Sequence, residues 1–361
     1  MNPQQPPSAD GHPTSHAQAP RRRAKLSDEF ITLSHGGGGQ ATQTLIDDVF
    51  VKAMNNPVLA RLEDQAQVTI DGVRLAFTTD SYVVDPIFFP GGDIGCLAVH
   101  GTINDLVTCG AEPLYLSLGV ILEEGFAVAD LRRITASIAR AANEAGVQVV
   151  TGDTKVVPRG KADRIYLNTA GIGVVRGSWQ LSPTRAAPGD RVLISGPIGD
   201  HGVAILAARG ELDFDVTLES DTAALHGLVH QILQGDRPPH CFKDATRGGV
   251  ATALNEIAQQ ANVGVTLIED RLPVKREVAG ACEILGIDPL YLANEGKLLV
   301  IAPAEATDNI LATMRAHPLG KEACVIGTIG AEPPGMVILR TAIGGTRVVD
   351  TPAGEVLPRI C

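Results

Sequence analysis

Aromatic residues are scarce in this 361-residue chain: Phe, Tyr and Trp together make up 4%, with one Trp. A core built on stacked rings is therefore excluded, and Val, Ile, Leu and Ala must fill it. Cysteine is sparse too. Cys96, Cys109, Cys241, Cys282, Cys324 and Cys361 form no C-x-x-C pair. That spacing argues against a zinc site and against a dense disulfide scaffold. No apolar run approaches the roughly 18 residues of a membrane span. Arg21, Arg22 and Arg23 could open an export signal, but Lys25, Asp28 and Glu29 interrupt any apolar stretch behind them. Export is rejected, and the expected compartment is the cytoplasm. Positive charge is also in deficit, with 30 Lys and Arg against 41 Asp and Glu, a net charge of −11. A general nucleic-acid binder or a polybasic membrane binder would be basic, so both roles are disfavoured.

Glycine, by contrast, is abundant: 39 residues, about 11% against a usual value of roughly 7%. The excess has no period, so it marks turns and close backbone approaches to a ligand rather than a fibre. An apolar fraction of 44% supports a real core. The length suggests two domains. Residues 1–25, rich in Pro, Gln, Ser and His, read as a disordered arm. Folded structure is expected from Leu26. TLIDDVFVKAM reads as helical, and residues 66–79 as a hairpin turning on Asp71-Gly72. Its second strand is expected to end at Asp80. A helix over 94–110 carries Asn104 and Asp105. Val128, Leu131, Ile134, Ile138 and Ala142 recur at helical spacing up to Gly146. PLYLSLGVIL and RIYLNTAGIGVV read as strands, and VQVVTGDTK as a strand running into a turn.

RGSWQLSPTRAAPGD, residues 176–190, breaks this pattern and predicts a domain boundary. The expected domains are 26–180 and 181–349, followed by a flexible tail over 350–361. In the second domain, RVLISG, VGVTLI and KLLVIA read as strands. GVAILAA, TAALHGLVHQIL, RGGVATALNEIAQQA and AEATDNILATM read as helices. Hairpins mixed with irregularly spaced helices favour α+β domains with mixed or antiparallel sheets over a doubly wound Rossmann fold.

Several motifs could carry chemistry. HGGGGQ (His35–Gln40) offers bare backbone N–H groups of the kind that surround phosphate. No Gly-Lys-Ser/Thr follows, so it is not a Walker A loop, and a flexible linker is an equal reading. Asp80, Asp105, Asp153 and Asp244 lie at expected element ends beside small or hydroxyl residues. Alone, each reads as a solvated turn or a cap. Together with the glycine loop they suit Mg²⁺, which takes hard oxygen ligands shared with phosphates. In DATRGG, Asp244 or Thr246 could cap the helix that follows, and the same helix end would attract an anion. Glu295 in NEGK and Lys155 in GDTK could act as acid, base or charge stabiliser; alone, either reads as a surface charge. The chain ends in PRIC, so Cys361 can serve as a carrier thiol on a non-helical tail containing Pro352, Gly354 and Pro358. A prenylation signal would need the cysteine four residues from the end.

HGGGGQ, FTTDSYVV, HGTINDL, GDTKVV, DATRGG, NEGK and terminal PRIC, in that order, resemble the HypE family of hydrogenase maturation factors over about residues 27–361. The wider superfamily holds aminoimidazole ribonucleotide synthetase, selenophosphate synthetase and thiamine-monophosphate kinase. The resemblance implies two α+β domains and a homodimer whose N-terminal domains share a barrel. It implies ATP and Mg²⁺ in a cleft closed by the glycine loop. His35, Gly36, Gly37, Gly38, Gly39, Asn104 and Asp153 would attend the nucleotide, and Asp80, Asp105 and Asp244 the metal. A HypF carbamoyltransferase would load a carbamoyl group on Cys361. The thiocarboxamide would then be dehydrated to a thiocyanate and its cyano group passed to iron on a HypC–HypD complex. Glu295 would take a proton and Lys155 would stabilise developing charge. A selenophosphate synthetase-like activity is the alternative. That enzyme carries a reactive cysteine or selenocysteine and a lysine in its glycine-rich segment, and LSHGGGGQ has neither.

Overall fold

The computed structural model describes residues 25–210, 218–354 and 357–361. The expected arm thus lies, except for Lys25, outside the described residues. After the short helix α1 (Gln40–Leu45), which runs on as a wider turn over Ile46–Val51, the chain enters a hairpin of β1 (Ala66–Ile70) and β2 (Val73–Tyr82). Asp71 and Gly72 both have positive φ, 49° and 81°, the backbone a two-residue hairpin turn requires. The short strands β3 (Phe88–Phe89) and β4 (Gly92–Asp93) lead into α2 (Ile94–Thr108). Asp93 starts that helix by accepting from the backbone N–H of Gly95 (2.8 Å) and Cys96 (3.1 Å). Strand β5 (Glu112–Glu123), helix α3 (Val128–Glu144), β6 (Gln148–Val157) and β7 (Ile165–Val174) complete the first sheet, in the order β1-β2-β7-β5-β6. The β5–β6 pair is parallel and the rest are antiparallel.

Helices α2 and α3 cover one face of this sheet. Strand alternation decides what each residue meets. On β2, Ala76, Thr78 and Tyr82 are buried on the helix side, whereas Phe77, Thr79 and Ser81 are exposed on the other. Phe77, Ile172 and Tyr115 sit side by side in register on that uncovered face, each more than 40% exposed. Strand β6 is an exposed edge along nearly its whole length. It runs straight through Gly152-Asp153-Thr154-Lys155, where a turn was expected.

The second half contributes β8 (Arg191–Ile194), α4 (Asp200–Ala208), α5 (His226–Leu233), β9 (Cys241–Asp244), α6 (Gly249–Ala261), β10 (Gly264–Ile268), α7 (Arg276–Leu285), β11 (Leu298–Ala302), α8 (Thr307–Ala316), β12 (Cys324–Gly330), β13 (Met336–Arg340) and β14 (Thr346–Val348). Their seven strands order as β14-β13-β10-β12-β8-β11-β9, antiparallel except for β10–β13. Both sheets are thus mixed, as the α+β expectation held. Two further local features differ from the sequence reading. Thr222–Leu225 form a loop, because Asn104 takes the Leu225 N–H (2.8 Å) before α5 begins. Helix α7 was not foreseen, since its apolar face (Val278, Ala281, Cys282) is short and lies among charges.

The halves share part of their core, beside a second cluster that lies within the second half alone. A single buried cluster joins Leu97, Ile103 and Ile134 to Leu228, Phe242 and Val300, and it includes Ile360 from the tail. Burying this common apolar surface fixes the cleft between the sheets.

Candidate functional site

A cleft of about 380 Å³ opens between the two halves, lined by Gly38, Gly39, Asp80, Asp105, Asp244 and Arg247 among others. Asp80 lies on β2, and Asp105 meets it from α2. Thr78, two residues before Asp80, donates its hydroxyl to Asp105 Oδ2 (2.8 Å). Asp244 is the last residue of β9. Three carboxylates expected as metal ligands are therefore brought together by three different elements.

Their proximity has a cost. Burial, then the carboxylates of Asp80, Asp244 and Asp64, raises the Asp105 pKa well above the ordinary carboxylate range. Burial and Asp64 push Asp244 up to about 7, partly opposed by Lys243. Burial also raises Asp80. Lys243 pairs with Asp64 and with Glu256 (2.8 Å), so its charge is already shared. Crowded carboxylates of this kind, Asp244 buried and Asp80 and Asp105 half-buried, suit a divalent cation, which removes the repulsion. Among the described residues no three His, Cys, Asp or Glu are arranged to hold a metal ion by themselves. These carboxylates could hold Mg²⁺ only together with further oxygen ligands, such as those of a phosphate.

Glu295 is 2% exposed. Burial, then Asp221 and Asp244, raises its pKa well above the ordinary range, and its Oε1 has no hydrogen-bond partner. Its backbone is pinned on both sides. The Glu295 N–H donates to Asp221 Oδ1 (3.1 Å), and its carbonyl accepts from Ala223 N–H (3.3 Å). Asn104 Nδ2 also donates to that carbonyl (3.3 Å) and to the Ala223 carbonyl (3.0 Å). Asp221 in turn pairs with Lys297 (2.9 Å). Gly296 fits here because a Cβ would stand 2.0 Å from the Asp221 carbonyl oxygen.

Some expected ligands serve the scaffold instead. Asn104 spends its amide on the loop 223–225 and on the Glu295 carbonyl. His35 closes the turn before the glycine loop: its Nδ1 accepts from Thr32 N–H (3.0 Å), and its Nε2 lies 3.3 Å from Asp28. Gly36 is exposed, and its carbonyl accepts from Arg247 (2.9 Å). Gly37 is buried and does not line the cleft, whereas Gly38 and Gly39 do. Gly38 has φ +77°, and a Cβ there would meet Arg247 at 2.9 Å; one on Gly39 would meet the Pro352 carbonyl at 2.3 Å. The glycines let the loop pack against Arg247 and the root of the tail. The expected cap on α6 is absent too: its N-cap is Gly248 (φ +72°), with no side-chain bond from Asp244 or Thr246. The Thr252 hydroxyl, in the first turn of α6, is buried without a partner and faces the cleft.

Asp153 and Lys155 do not join the site within one chain. They pair with each other (2.5 Å) on β6, with side chains 71% and 68% exposed. Their row runs Ser81–Asn168–Gly119–Asp153 across the sheet. Asp153 is thus three strands from β2, roughly 14 Å, and shares the uncovered face with Ser81 rather than the face of Asp80.

The tail is docked. Val83 N–H donates to the terminal oxygen of Cys361 (3.0 Å) and Asp85 N–H to the Arg359 carbonyl (3.2 Å). Ile360 is 4% exposed in the shared core. Cys361 is thereby placed within electrostatic reach of Arg247. That guanidinium is held charged first by Cys361 and, against burial, by Asp80 and Glu295. Arg247 therefore links the terminal residue, the carboxylates, Glu295 and the glycine loop. Sequence reasoning quoted Arg247 within DATRGG without assigning it a role; its place between two chemical motifs was the available signal. Asp64 and Asp221 carried no such signal.

The AIR synthase related protein family matches through its N-terminal domain over residues 62–175 and its C-terminal domain over residues 187–340. The carbamoyl dehydratase HypE of Azotobacter vinelandii is 52% identical over 339 residues, 94% of this chain and 99% of that protein. A crystal structure of HypE in complex with ATP is 48% identical, with a TM-score of 0.77 over 92% of this chain and 100% of that one. A crystal structure of a HypE–HypF complex is 47% identical, with a TM-score of 0.81 over 85% of this chain and 99% of that one.

Proposed function

The chain belongs to the HypE carbamoyl dehydratases of the AIR synthase related family, and from that premise we propose that it dehydrates a thiocarboxamide carried on Cys361 to a thiocyanate, using ATP, for [NiFe]-hydrogenase maturation. The observation that carries this reading is the docked terminal cysteine: Val83, three residues after Asp80, donates its N–H to Cys361 (3.0 Å), and Arg247, which lines the carboxylate cleft, feels the charges of Cys361, Asp80 and Glu295.

The balance is that of a dehydration. R–S–C(=O)NH₂ and ATP give R–S–C≡N, ADP and inorganic phosphate. The amide oxygen takes the γ-phosphoryl group and leaves as phosphate, and nitrogen gives up its two protons. An amide oxygen is a poor leaving group until it is phosphorylated. Asp80, Asp105 and Asp244 would hold Mg²⁺, which supplies charge neutralisation on the phosphates. The N-terminus of α6, with its unpartnered Thr252 hydroxyl, suits an anion entering the cleft. Gly38 and Gly39 line the same space. Glu295, raised by burial and then by Asp221 and Asp244, favours the neutral acid, which can donate a proton to the departing phosphate; the carboxylate so formed then accepts a proton from nitrogen. Arg247 stabilises negative charge that develops at the carrier.

The uncovered apolar face of the first sheet and its open β6 edge support a homodimer. A second copy on that face would take Asp153 and Lys155 out of water, and the pair then serves the partner's cleft, with Lys155 stabilising charge. A HypF carbamoyltransferase loads Cys361, and a HypC–HypD complex accepts the cyano group. All of this takes place in the cytoplasm; among the described residues no helix is long and apolar enough to cross a membrane.

The test is the mass of the C-terminal peptide. After incubation with the carbamoyltransferase, carbamoyl phosphate and ATP, Cys361 should gain a carbamoyl group that loses one water as ATP is hydrolysed. Asp105→Asn should keep the adduct and lose the dehydration. An adduct elsewhere, or the same result with Cys361→Ala, overturns the reading.

A further inference from the structure

The tail is held by its main chain, by Arg359 paired with Asp85 (3.5 Å) and Asp163, and by buried Ile360, and one fully buried side chain also reads it. His201, in the first turn of α4, is fully buried. Its Nε2 lies 2.7 Å from the Ile360 carbonyl oxygen, and its Nδ1 lies 2.7 Å from Ser220 Oγ. The Phe89 ring meets the imidazole edge-on at 5.6 Å. Ser220 Oγ accepts from Thr222 N–H (3.1 Å), so its hydroxyl proton points to Nδ1, and Nε2 carries the proton donated to Ile360. Burial pushes the His201 pKa down, which keeps this neutral form.

Ser220 is one residue from Asp221, whose carboxylate holds the Glu295 N–H. Ala223, two residues beyond Asp221, holds the Glu295 carbonyl. A single stretch, Ser220–Ala223, therefore touches both the tail receptor and the backbone of the acid. Arg209, at the end of α4, adds bonds to the carbonyls of Pro358 and Arg359 (2.6 Å each).

We propose that His201 is a positioning residue: it seats the tail through the Ile360 carbonyl and, through Ser220–Ala223, couples that seating to the placement of Glu295. The seat stands on the hydrogen bonds alone; the coupling to dehydration rests on the function proposed above. A backbone carbonyl is the recognised group, so the receptor reads the arrival of the chain end rather than the chemistry on its thiol. It can therefore accept the tail before and after dehydration.

The full-length protein tests both parts. N-ethylmaleimide labelling of Cys361, followed without ATP by the mass of the C-terminal peptide, reads the seat. His201→Ala should label about tenfold faster, the effect of losing one buried hydrogen bond. His201→Gln, whose amide can donate to the same carbonyl, should return to within about threefold of wild type. Unchanged labelling in a folded His201→Ala protein overturns the seat. Should that variant fail to fold, Arg209→Gln and Ser220→Ala replace it, and unchanged labelling in both overturns the proposal. Single-turnover dehydration of pre-carbamoylated protein reads the coupling. His201→Ala should be at least about tenfold slower, with rescue by His201→Gln. Faster labelling with an unchanged dehydration rate keeps the seat and overturns the coupling. A wild-type protein that never acquires a carbamoyl group refutes the proposed function and leaves the labelling result intact.

Discussion

Asp244→Asn should make the ligand-free protein more stable while abolishing its activity. Burial and the neighbouring Asp64 carboxylate raise Asp244 to about 7 in the folded chain, against roughly 3.9 when unfolded. Between those values the folded state binds the extra proton. Its contribution to stability is therefore fully present below about pH 4 and is lost as pH rises through about 7. Three units at 1.36 kcal/mol each bound the loss at about 4 kcal/mol. Asp80 and Asp105 share the repulsion, so removing one charge should recover about 2–4 kcal/mol at pH 8. Asparagine keeps the shape without the charge, and at pH 4 the two proteins should agree within about 1 kcal/mol. Thermal unfolding by circular dichroism from pH 4.5 to 8.5 is the assay, with an expected gain in Tm of roughly 5 °C at the upper end. Magnesium and ATP should stabilise the wild type and fail to stabilise the variant. An Asp244→Asn protein with the same pH slope as wild type would refute the claim that this carboxylate is strained. A site that stores repulsion in this way trades stability for ligand affinity.

Arg247→Ala removes the group that links Cys361, Glu295 and Gly36. Carbamoylation of Cys361 should persist, and single-turnover dehydration should fall by about 100-fold, the scale of losing one charge-stabilising donor; equal loss of both steps would point to a misplaced tail instead. Lys155→Ala and Glu295→Gln should each be inactive alone. If Lys155 acts on the partner's cleft, an equal mixture that exchanges subunits should regain about a quarter of wild-type activity, because half of the dimers hold one complete site. No recovery, with exchange verified by mass, would place Lys155 in its own chain's site.

Much of the local structure was legible without tertiary information. Asp71-Gly72 specifies its hairpin because both residues tolerate positive φ. Helix α3 is written in the spacing of Ile134, Ile138 and Ala142. The residue types of the site were legible too. Asp80, Asp105 and Asp244 stand in separate motifs, and hard oxygen donors near glycines are what phosphate chemistry needs. Cys361 was conspicuous because it stands in the PRIC motif, apart from any helical or strand pattern. Signals failed where a side chain could serve either scaffold or ligand. Asn104 and His35 lie inside motifs, yet their polar atoms are consumed by backbone groups that sequence spacing does not reveal.

By itself, then, the sequence determined the element types, the inventory of reactive groups and the membership of a carbamoyl-carrying family, because short-range periods and motif chemistry are properties of neighbours along a chain. Tertiary structure alone decided which of those groups meet. Alternation on the first sheet sends Asp80 toward Asp105 and Asp244 but turns Asp153 and Lys155 to the uncovered face. Packing of the shared core brings Arg247 to the glycine loop and seats Ile360 under His201. His201 and Arg209 recognise the tail through backbone carbonyls that every residue possesses, so the residue types of the tail did not announce those partners.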